Sequence, residues 1–343
     1  MIDNPFLSKT FVSTWLEHFH PTGKVWDFDC INGPTFIKKG RLPIYSNICG
    51  LNSKTMEYNL VKECNEIDKK KVFLIFDVPS HLHLSEQENE KNIGILKPKQ
   101  YAGFYCDLRN YNDLNAYLLE VLSAKTRNKF KRYRRKLEDT FEIRYKFYTG
   151  AIEKDLHNQL FSTFNELLKK RFKEKKTVNN NLYKWEWDFY EDVSFSMIQE
   201  KKAAFFVTYD KEKPIAITLL FLSKNRVYDT IRVFDTDYSQ HRLGTVSIMA
   251  QIEECIERGF SFLDFSKGYY PYKEQWSNVA YHFEYHIIYN KSVLKSKILA
   301  YYLSSIFALK QLLRDFKINE VHQGLKFKLG LHKNKYSSNT NLA

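Results

Sequence analysis

Three apolar segments in the second half of the chain are separated by tight turns, and this pattern constrains the fold more than any other feature. Residues 203–209, 215–222 and 226–234 are rich in aliphatic and aromatic side chains. The turns between them are short and mostly polar. Apolar runs of this length, bounded by turn residues, indicate strands, and short connections join antiparallel neighbours. The sequence therefore predicts an antiparallel meander of three strands.

Helical periodicity flanks the predicted meander on both sides. Apolar residues recur every three or four positions over 156–172 and again over 248–256, where the helix is expected to stop at Gly259. Two further strands are predicted at 260–265 and 281–289, and a loop rich in Gly, Pro and Tyr separates them. In the first hundred residues, short apolar runs at 35–37, 43–45 and 72–79 also indicate strands. The fold class predicted from these patterns is α/β with a mixed sheet.

The segment before the second half is strongly basic. Ser123 is placed to cap a helix in which residues 125–136 include eight cations in twelve positions. Such a helix either binds an anionic partner or presents a solvated face, and the sequence leaves both open. Across the chain, 53 Lys and Arg exceed 40 Asp and Glu, and the net charge of +13 favours anionic partners without choosing among them.

Several function classes lack their sequence signals. The five cysteines are far apart and never spaced C-x-x-C, so we expect neither a disulfide framework nor a zinc site. No H-E-x-x-H, G-x-S-x-G or P-loop motif occurs, which disfavours a zinc protease, a serine hydrolase and a P-loop enzyme. The amino terminus lacks the basic and apolar regions of a secretory signal. We therefore expect a cytoplasmic protein that binds no metal.

The longest mostly apolar run lies near the carboxyl terminus, at residues 298–309. It is 12 residues long and contains Ser304 and Ser305, whereas a membrane span needs about 20 residues. The surrounding segment, 291–317, is basic and partly apolar. It is expected either to pack as a helix on its own protein or to make a peripheral membrane contact.

Two stretches, together with the order of the predicted elements, resemble a known superfamily. Residues 234–245 (FDTDYSQHRLGT) run from a strand into a helix, and residues 263–276 (LDFSKGYYPYKEQW) run from a strand into an aromatic loop. The basic segment 122–137 precedes both. In this order they resemble the GNAT acyltransferase superfamily, and in particular its cellulose-biosynthesis-type acetyltransferase branch.

This resemblance implies two tandem GNAT-like domains, an arrangement also found in Fem-type transferases. On this basis we expect a degenerate GNAT-like domain over 1–120, a basic connecting helix and linker over 121–150, a catalytic GNAT-like domain over 151–290, a helical extension over 291–330 and a flexible tail over 331–343.

The resemblance also implies acetyl-CoA or another acyl-CoA as co-substrate. In such folds the diphosphate lies on backbone N–H groups at a helix start, where unsatisfied donors and the positive end of the helix favour anions. The alternative is that this helix start is only capped and binds no coenzyme. The residues expected to bind the coenzyme are His241, Arg242, Leu243, Gly244, Thr245, Val246 and Lys273.

Acyl transfer needs a group that takes a proton from the acceptor and a donor for the leaving thiolate. By the resemblance, the donor is Tyr272 or, as second choice, Tyr270, and Asp264 acts as base or orients the acceptor. Packing of the tyrosines, and a cap or ion-pair role for Asp264, are the alternatives. Substrate is expected to contact Asp229, Arg232, Lys267 and Trp276, although Asp229 and Arg232 could simply pair and Trp276 could form a hydrophobic wall.

One functional hypothesis and two alternatives follow. The hypothesis is an N- or O-acyltransferase in which an amine or hydroxyl of a sugar or cell-envelope precursor, as in polysaccharide biosynthesis, attacks the acyl-CoA directly. The first alternative is a Fem-type transferase that uses charged tRNA, which the basic helix would suit. The second is a non-catalytic GNAT-like module that binds a glycan. The sequence predicts no oligomeric state, acyl length or specific acceptor.

Overall fold

The helices and strands were assigned in a computed structural model that describes residues 2–50, 52–61, 70–82, 92–177 and 179–316. The helices are α1 (Lys9–Phe19), α2 (Leu114–Val121), α3 (Ala124–Thr140), α4 (Lys154–Lys175), α5 (Lys184–Gln199), α6 (Leu243–Glu257), α7 (Pro271–Trp276) and α8 (Leu294–Asp315). The strands are β1 (Val25–Trp26), β2 (Ile31–Asn32), β3 (Phe36–Lys38), β4 (Ile44–Asn47), β5 (Asn59–Leu60), β6 (Val72–Pro79), β7 (Ile93–Leu96), β8 (Lys99–Asp107), β9 (Ile143–Tyr148), β10 (Ala203–Asp210), β11 (Lys213–Leu222), β12 (Arg226–Phe234), β13 (Phe262–Lys267) and β14 (Val279–Asn290). The predicted tail, 331–343, and the end of the predicted extension lie outside the described residues.

Most strands join one mixed sheet, in the order β1-β3-β4-β6-β14-β8-β13-β12-β11-β10-β9, with β7 also paired to β14. Among its pairs, β4 with β6 and β12 with β13 are parallel, and the others are antiparallel. The predicted α/β class with a mixed sheet is confirmed. The predicted meander is confirmed as β10, β11 and β12.

Helices cover both faces of the meander. Alternate side chains of β10, such as Phe205 and Val207, pack with α4 and α5, while Ala204 and Phe206 pack with α2 and α6. A strand covered on both faces is apolar throughout, because successive side chains point to opposite sides. This explains the nearly continuous apolar runs in the sequence.

Strands from the two predicted domains interleave. β8, which precedes residue 120, pairs with β13 from the second half, and β14 pairs with β6, β7 and β8. The sheet therefore continues across the predicted domain boundary. The boundary positions themselves stay predictions.

The structure corrects the expectation for the cysteines. Cys30 is disulfide-bonded, so the expectation of no disulfide is wrong at this position. Cys49, Cys106 and Cys255 are free and buried. Spacing along the sequence failed as a guide here because a disulfide depends on proximity in the fold.

No helix within the described ranges combines the length and apolar character needed to cross a membrane.

Candidate active site

A cleft opens where two parallel strands of the sheet separate. β12 and β13 pair only at residues 226–228 and 262–264, and beyond these positions β12 stays with β11 while β13 stays with β8. The cleft has a volume of about 730 Å³ and is lined from α4, β12, the start of α6, β13 and α7. The carboxyl end of parallel strands is where α/β proteins commonly bind ligands.

The start of α6 presents free backbone donors to this cleft. Arg242 has a left-handed backbone conformation with φ of 59°, and its carbonyl accepts hydrogen bonds from the amides of Thr245 and Val246, at 2.9 and 3.2 Å. The amides of Leu243 and Gly244 have no acceptor among the described residues. Residues 242–245 line the cleft, so these donors and the positive helix end are available to an anion.

Gly244 allows the helix start to approach the end of β12 closely. A Cβ atom at this position would lie 2.6 Å from Cε1 of Phe234, closer than real side chains come. Two other residues predicted to bind the coenzyme do not line the cleft. Val246 is fully buried in the core beneath α6, and His241 packs against Phe141, with ring centroids 5.0 Å apart.

Cations on α4 extend this part of the cleft, and sequence reasoning missed them. Arg171 and Lys175, four residues apart on one helix face, both line the cleft. The Arg171 guanidinium lies 4.3 Å from the centroid of the Phe234 ring, and burial lowers its pKa. Neither cation forms an ion pair with a described carboxylate. The signal available in the sequence was their position next to Leu168 and Phe172, at the end of the helical periodicity over 156–172.

Asp229 and Arg232 form an ion pair in the wall of the cleft. Arg232 also donates to Oε1 of Gln251 at 2.7 Å and to Oγ of Ser247 at 3.2 Å, both on α6. The pairing alternative that the sequence left open is therefore present. It fixes both side chains at the surface of the cleft.

A bulge in β12 lies beside this pair. Asp229 and Ile231 pair with consecutive residues of β11, so Thr230 is an extra residue without a ladder partner. Thr230 lines the cleft. Its place in the bulge makes its backbone amide a candidate donor toward the cleft.

Both candidate tyrosines line the cleft, in different environments. Tyr272 is half-buried, and its ring centroid lies 6.0 Å from that of Phe265. Burial raises the pKa of Tyr272, so its hydroxyl keeps its proton at neutral pH. Tyr270 is 56% exposed. Of the two side chains, that of Tyr272 is the more enclosed.

Asp264 is buried outside the cleft lining. Its carboxylate accepts hydrogen bonds from Arg226 at 3.0 Å, from the Tyr281 hydroxyl at 3.0 Å and from the amide of Ser266 at 2.7 Å. Burial raises its pKa. The structure thus shows the ion-pair alternative for Asp264 and does not bring it to the other candidate residues.

The remaining predicted residues lie at the β13 end of the cleft. Lys267 is paired with the buried Asp77 at 2.5 Å, which neutralises its charge. Lys273 is buried and donates to the carbonyls of Lys267 and Ser266, and burial lowers its pKa to about 8. Trp276 is 1% exposed and stacks on Phe130 with 5.0 Å between centroids, so it forms a wall.

Lys54 reaches this end of the cleft from the first half of the chain. Its carbonyl accepts a hydrogen bond from the Ser266 hydroxyl at 3.1 Å, and its Nζ has no acceptor among the described residues. Burial, with repulsion from Lys267 and Lys273, lowers its pKa to about 7. Sequence reasoning had no signal for Lys54, because its neighbours lie far away along the chain.

Comparison with known proteins identifies the part of the chain that builds most of this cleft. Residues 124–274 match the family model for the acetyltransferase (GNAT) domain. This part of the chain is similar to a GNAT acetyltransferase domain. The match runs from the start of α3 into α7, so it includes every predicted site residue except Trp276, whereas Lys54 lies outside it. No curated protein sequence matches the chain.

Solved structures show that the fold is shared beyond this domain. A conserved protein of unknown function from Bacteroides thetaiotaomicron has a TM-score of 0.52 at 12% identity, covering 84% of this chain and 92% of that one. L-PGS from Bacillus licheniformis has a TM-score of 0.51 at 11% identity, covering 89% and 98%. FemX has a TM-score of 0.51 at 10% identity, covering 80% and 90%. At these identities the similarity concerns the fold alone.

Proposed function

We propose that the chain transfers an acyl group from coenzyme A to an amine or hydroxyl acceptor by direct attack in a ternary complex. The observation that carries the proposal is the cleft between β12 and β13, which opens onto the unpaired amides of Leu243 and Gly244. Its volume of about 730 Å³ suits a small-molecule site, for which about 300–1,000 Å³ is typical. GNAT domains generally use acyl-CoA as donor.

The phosphate groups of the coenzyme would be bound at the α6 end of the cleft. Two backbone N–H groups there can donate hydrogen bonds to an anion. Arg171 and Lys175 add positive charge from α4. The pantetheine arm would then extend between the separated strands toward Thr230. At that point the backbone amide of Thr230, in the bulge, would donate to the thioester oxygen and stabilise the charge that develops on it.

The proton transfers are assigned to Lys54 and Tyr272. The acceptor nitrogen or oxygen forms a bond to the acyl carbon, and the carbon–sulfur bond breaks. The acceptor proton passes to the neutral Nζ of Lys54, whose pKa of about 7 leaves a large neutral fraction at neutral pH. The leaving thiolate takes a proton from the Tyr272 hydroxyl. Lys54 replaces Asp264 in the role of base because Asp264 does not line the cleft.

The acceptor class rests on the resemblance to the cellulose-biosynthesis-type branch. We propose a sugar or cell-envelope precursor on that ground, and a role in polysaccharide biosynthesis with it.

Replacing Arg171 with methionine is expected to weaken acetyl-CoA binding about tenfold or more, because a hydrogen bond to a charged group contributes about 1.5–3 kcal/mol. Isothermal titration calorimetry with acetyl-CoA measures this effect. The matched control is Lys173→Met, which removes an exposed cation of the same helix outside the cleft lining and should leave the affinity unchanged. Absence of acetyl-CoA binding by the native chain would refute the proposed function, and equal losses in both variants would refute the assigned phosphate contact.

The Fem-type alternative is favoured by one observation. Six cations of α3 are exposed and have no carboxylate partner among the described residues, namely Lys125, Lys129, Lys131, Arg132, Arg135 and Lys136. Arg134, by contrast, pairs with Glu138 and Glu253. An exposed row of unpaired cations is the electrostatic requirement for binding the phosphate backbone of a nucleic acid.

Fluorescence anisotropy with labelled tRNA distinguishes this alternative. If tRNA is the donor, its affinity should fall steeply with salt, and Lys131→Glu with Arg135→Glu should reduce both the affinity and the salt dependence. The control is Lys9→Glu with Lys224→Glu, which makes the same change of charge at exposed positions elsewhere. Acetyl-CoA binding together with equal tRNA affinity in all three proteins would exclude the alternative.

A further inference from the structure

The carboxyl-terminal helix α8 has one face that packs on the sheet. Ser296, Ala300, Leu303 and Phe307 are buried, and α8 contacts β14 and β8. The Phe307 ring stacks on Tyr285 with 4.0 Å between centroids. Through this face the helix packs on its own protein.

The opposite face is also apolar, and it is exposed. It consists of eight large side chains that are 42–70% exposed, namely Leu294, Ile298, Tyr301, Tyr302, Leu309, Leu312, Leu313 and Phe316. At about 100° per residue they form a stripe centred opposite the packed residues. The stripe holds eight of the thirteen exposed large hydrophobic residues in the described part of the chain, so it is a contiguous patch and not scattered exposure.

Lysines border the amino-terminal part of this stripe, whereas Lys310 and Arg314 lie over the rings of Phe307 and Tyr101 on the packed side. Residues 291–316 contain five cations and one acidic residue, Asp315. Lys295 and Lys297 are exposed and lie at the two edges of the stripe. An apolar stripe bordered by lysines is the arrangement of helices that lie in the plane of an anionic membrane surface, with the apolar side in the lipid and the cations at the headgroups.

We infer that the outer face of α8 is a binding surface for anionic lipid, on which the helix lies parallel to the membrane plane. A second copy of the chain fits this face less well, because a symmetric contact would bring the bordering lysines of two copies together. Residues 317–343 are also a less suitable occupant of this face. They carry five Lys and one Glu, so they would bring further positive charge to the bordering lysines. The inference does not depend on the proposed enzymatic function.

Co-sedimentation of the full chain with vesicles tests this surface. We expect binding to vesicles that contain phosphatidylglycerol and little binding to pure phosphatidylcholine. Ile298→Ser with Leu312→Ser should reduce the partition coefficient at least about tenfold, because both side chains lose their burial in lipid. Lys295→Gln with Lys297→Gln should reduce it about fivefold per lysine.

The matched control is Leu119→Ser, which removes an apolar side chain that is 62% exposed on α2. This variant should bind vesicles like the native chain. The inference is overturned if the native chain does not bind anionic vesicles, or if the Ile298 and Leu312 variant binds them equally well. A dimer that is seen in sedimentation equilibrium and is lost in that variant would assign the face to a second copy and would also overturn it.

Discussion

Replacing Lys54 with methionine is expected to reduce kcat/KM for acyl transfer by about 10²- to 10⁴-fold, the usual contribution of a positioned acid or base. The reason is that, among the described residues, the variant leaves no free amine at this end of the cleft to take the acceptor proton, since Lys267 is paired and Lys273 donates to two carbonyls. Steady-state kinetics with acetyl-CoA and an amine acceptor measures the loss. Acetyl-CoA affinity should not change, because the described hydrogen bond of Lys54 is with Ser266 of β13 and not with the start of α6.

The role of Lys54 as a base also predicts how kcat/KM changes with pH. Burial and the neighbouring Lys267 and Lys273 lower the pKa of Lys54 to about 7, while Asp77 and Glu186 act in the opposite direction. Below that pH the amine is protonated and cannot accept a proton. We therefore expect kcat/KM to rise about tenfold per pH unit up to pH 7 and then to level, and the rise should be absent in Lys54→Met.

The variant Lys54→Arg distinguishes the loss of a proton acceptor from the loss of a positive charge. Arginine keeps the positive charge but does not deprotonate in proteins, so this variant should be as inactive as Lys54→Met. Activity retained by Lys54→Arg would show that the cation binds an anionic group of the acceptor and would contradict the assigned role. Folding should survive both changes, and methionine should be tolerated best because it relieves repulsion among three lysines. Thermal unfolding provides this check.

Gly244→Asp is expected to lower acetyl-CoA affinity at least about 100-fold, since like charges brought together at a binding interface cost several kcal/mol. The new carboxylate would lie at the amides of residues 243 and 244, where the diphosphate is proposed to bind. Its Cβ would also press on the Phe234 ring, 2.6 Å away. Calorimetry with acetyl-CoA measures the loss.

Gly244→Asn is the control for Gly244→Asp, because it has nearly the same shape and no charge. We expect it to bind acetyl-CoA more weakly than the native chain but more tightly than the aspartate variant. The helix itself should tolerate aspartate, since a carboxylate near a helix start is stabilising by about 0.3–1 kcal/mol. Equal affinities of the two variants would show that shape alone matters and would contradict an anion site at α6.

Local patterns predicted the elements of the second half well. Ser123 was predicted as a cap, and in the structure its side chain accepts a hydrogen bond from the amide of Thr126. The strand that leads into Gly244 and the strand that ends at Lys267 were also evident, because turns and periodicity depend on near neighbours. These two strands and the helix between them line part of the cleft.

Features that depend on distant contacts were not predictable. No strand was predicted where β8 lies, although β8 pairs with β13, and Lys54 approaches Lys273 only through the tertiary fold. Asp264 looked accessible at a strand end, but Arg226 and Tyr281 enclose it. A single sequence carries no signal for such pairings, since neither periodicity nor spacing reports on contacts between remote segments.

The position of β8 against β13 means that the region recognised by the family model is not an autonomous module. Cutting the chain ahead of α3 would strip the hydrogen-bonding partner from β13, leave a bare edge prone to self-association and remove Lys54 from the cleft. Recombining this region with foreign amino-terminal segments would therefore require each new segment to supply both a matching strand and a cation.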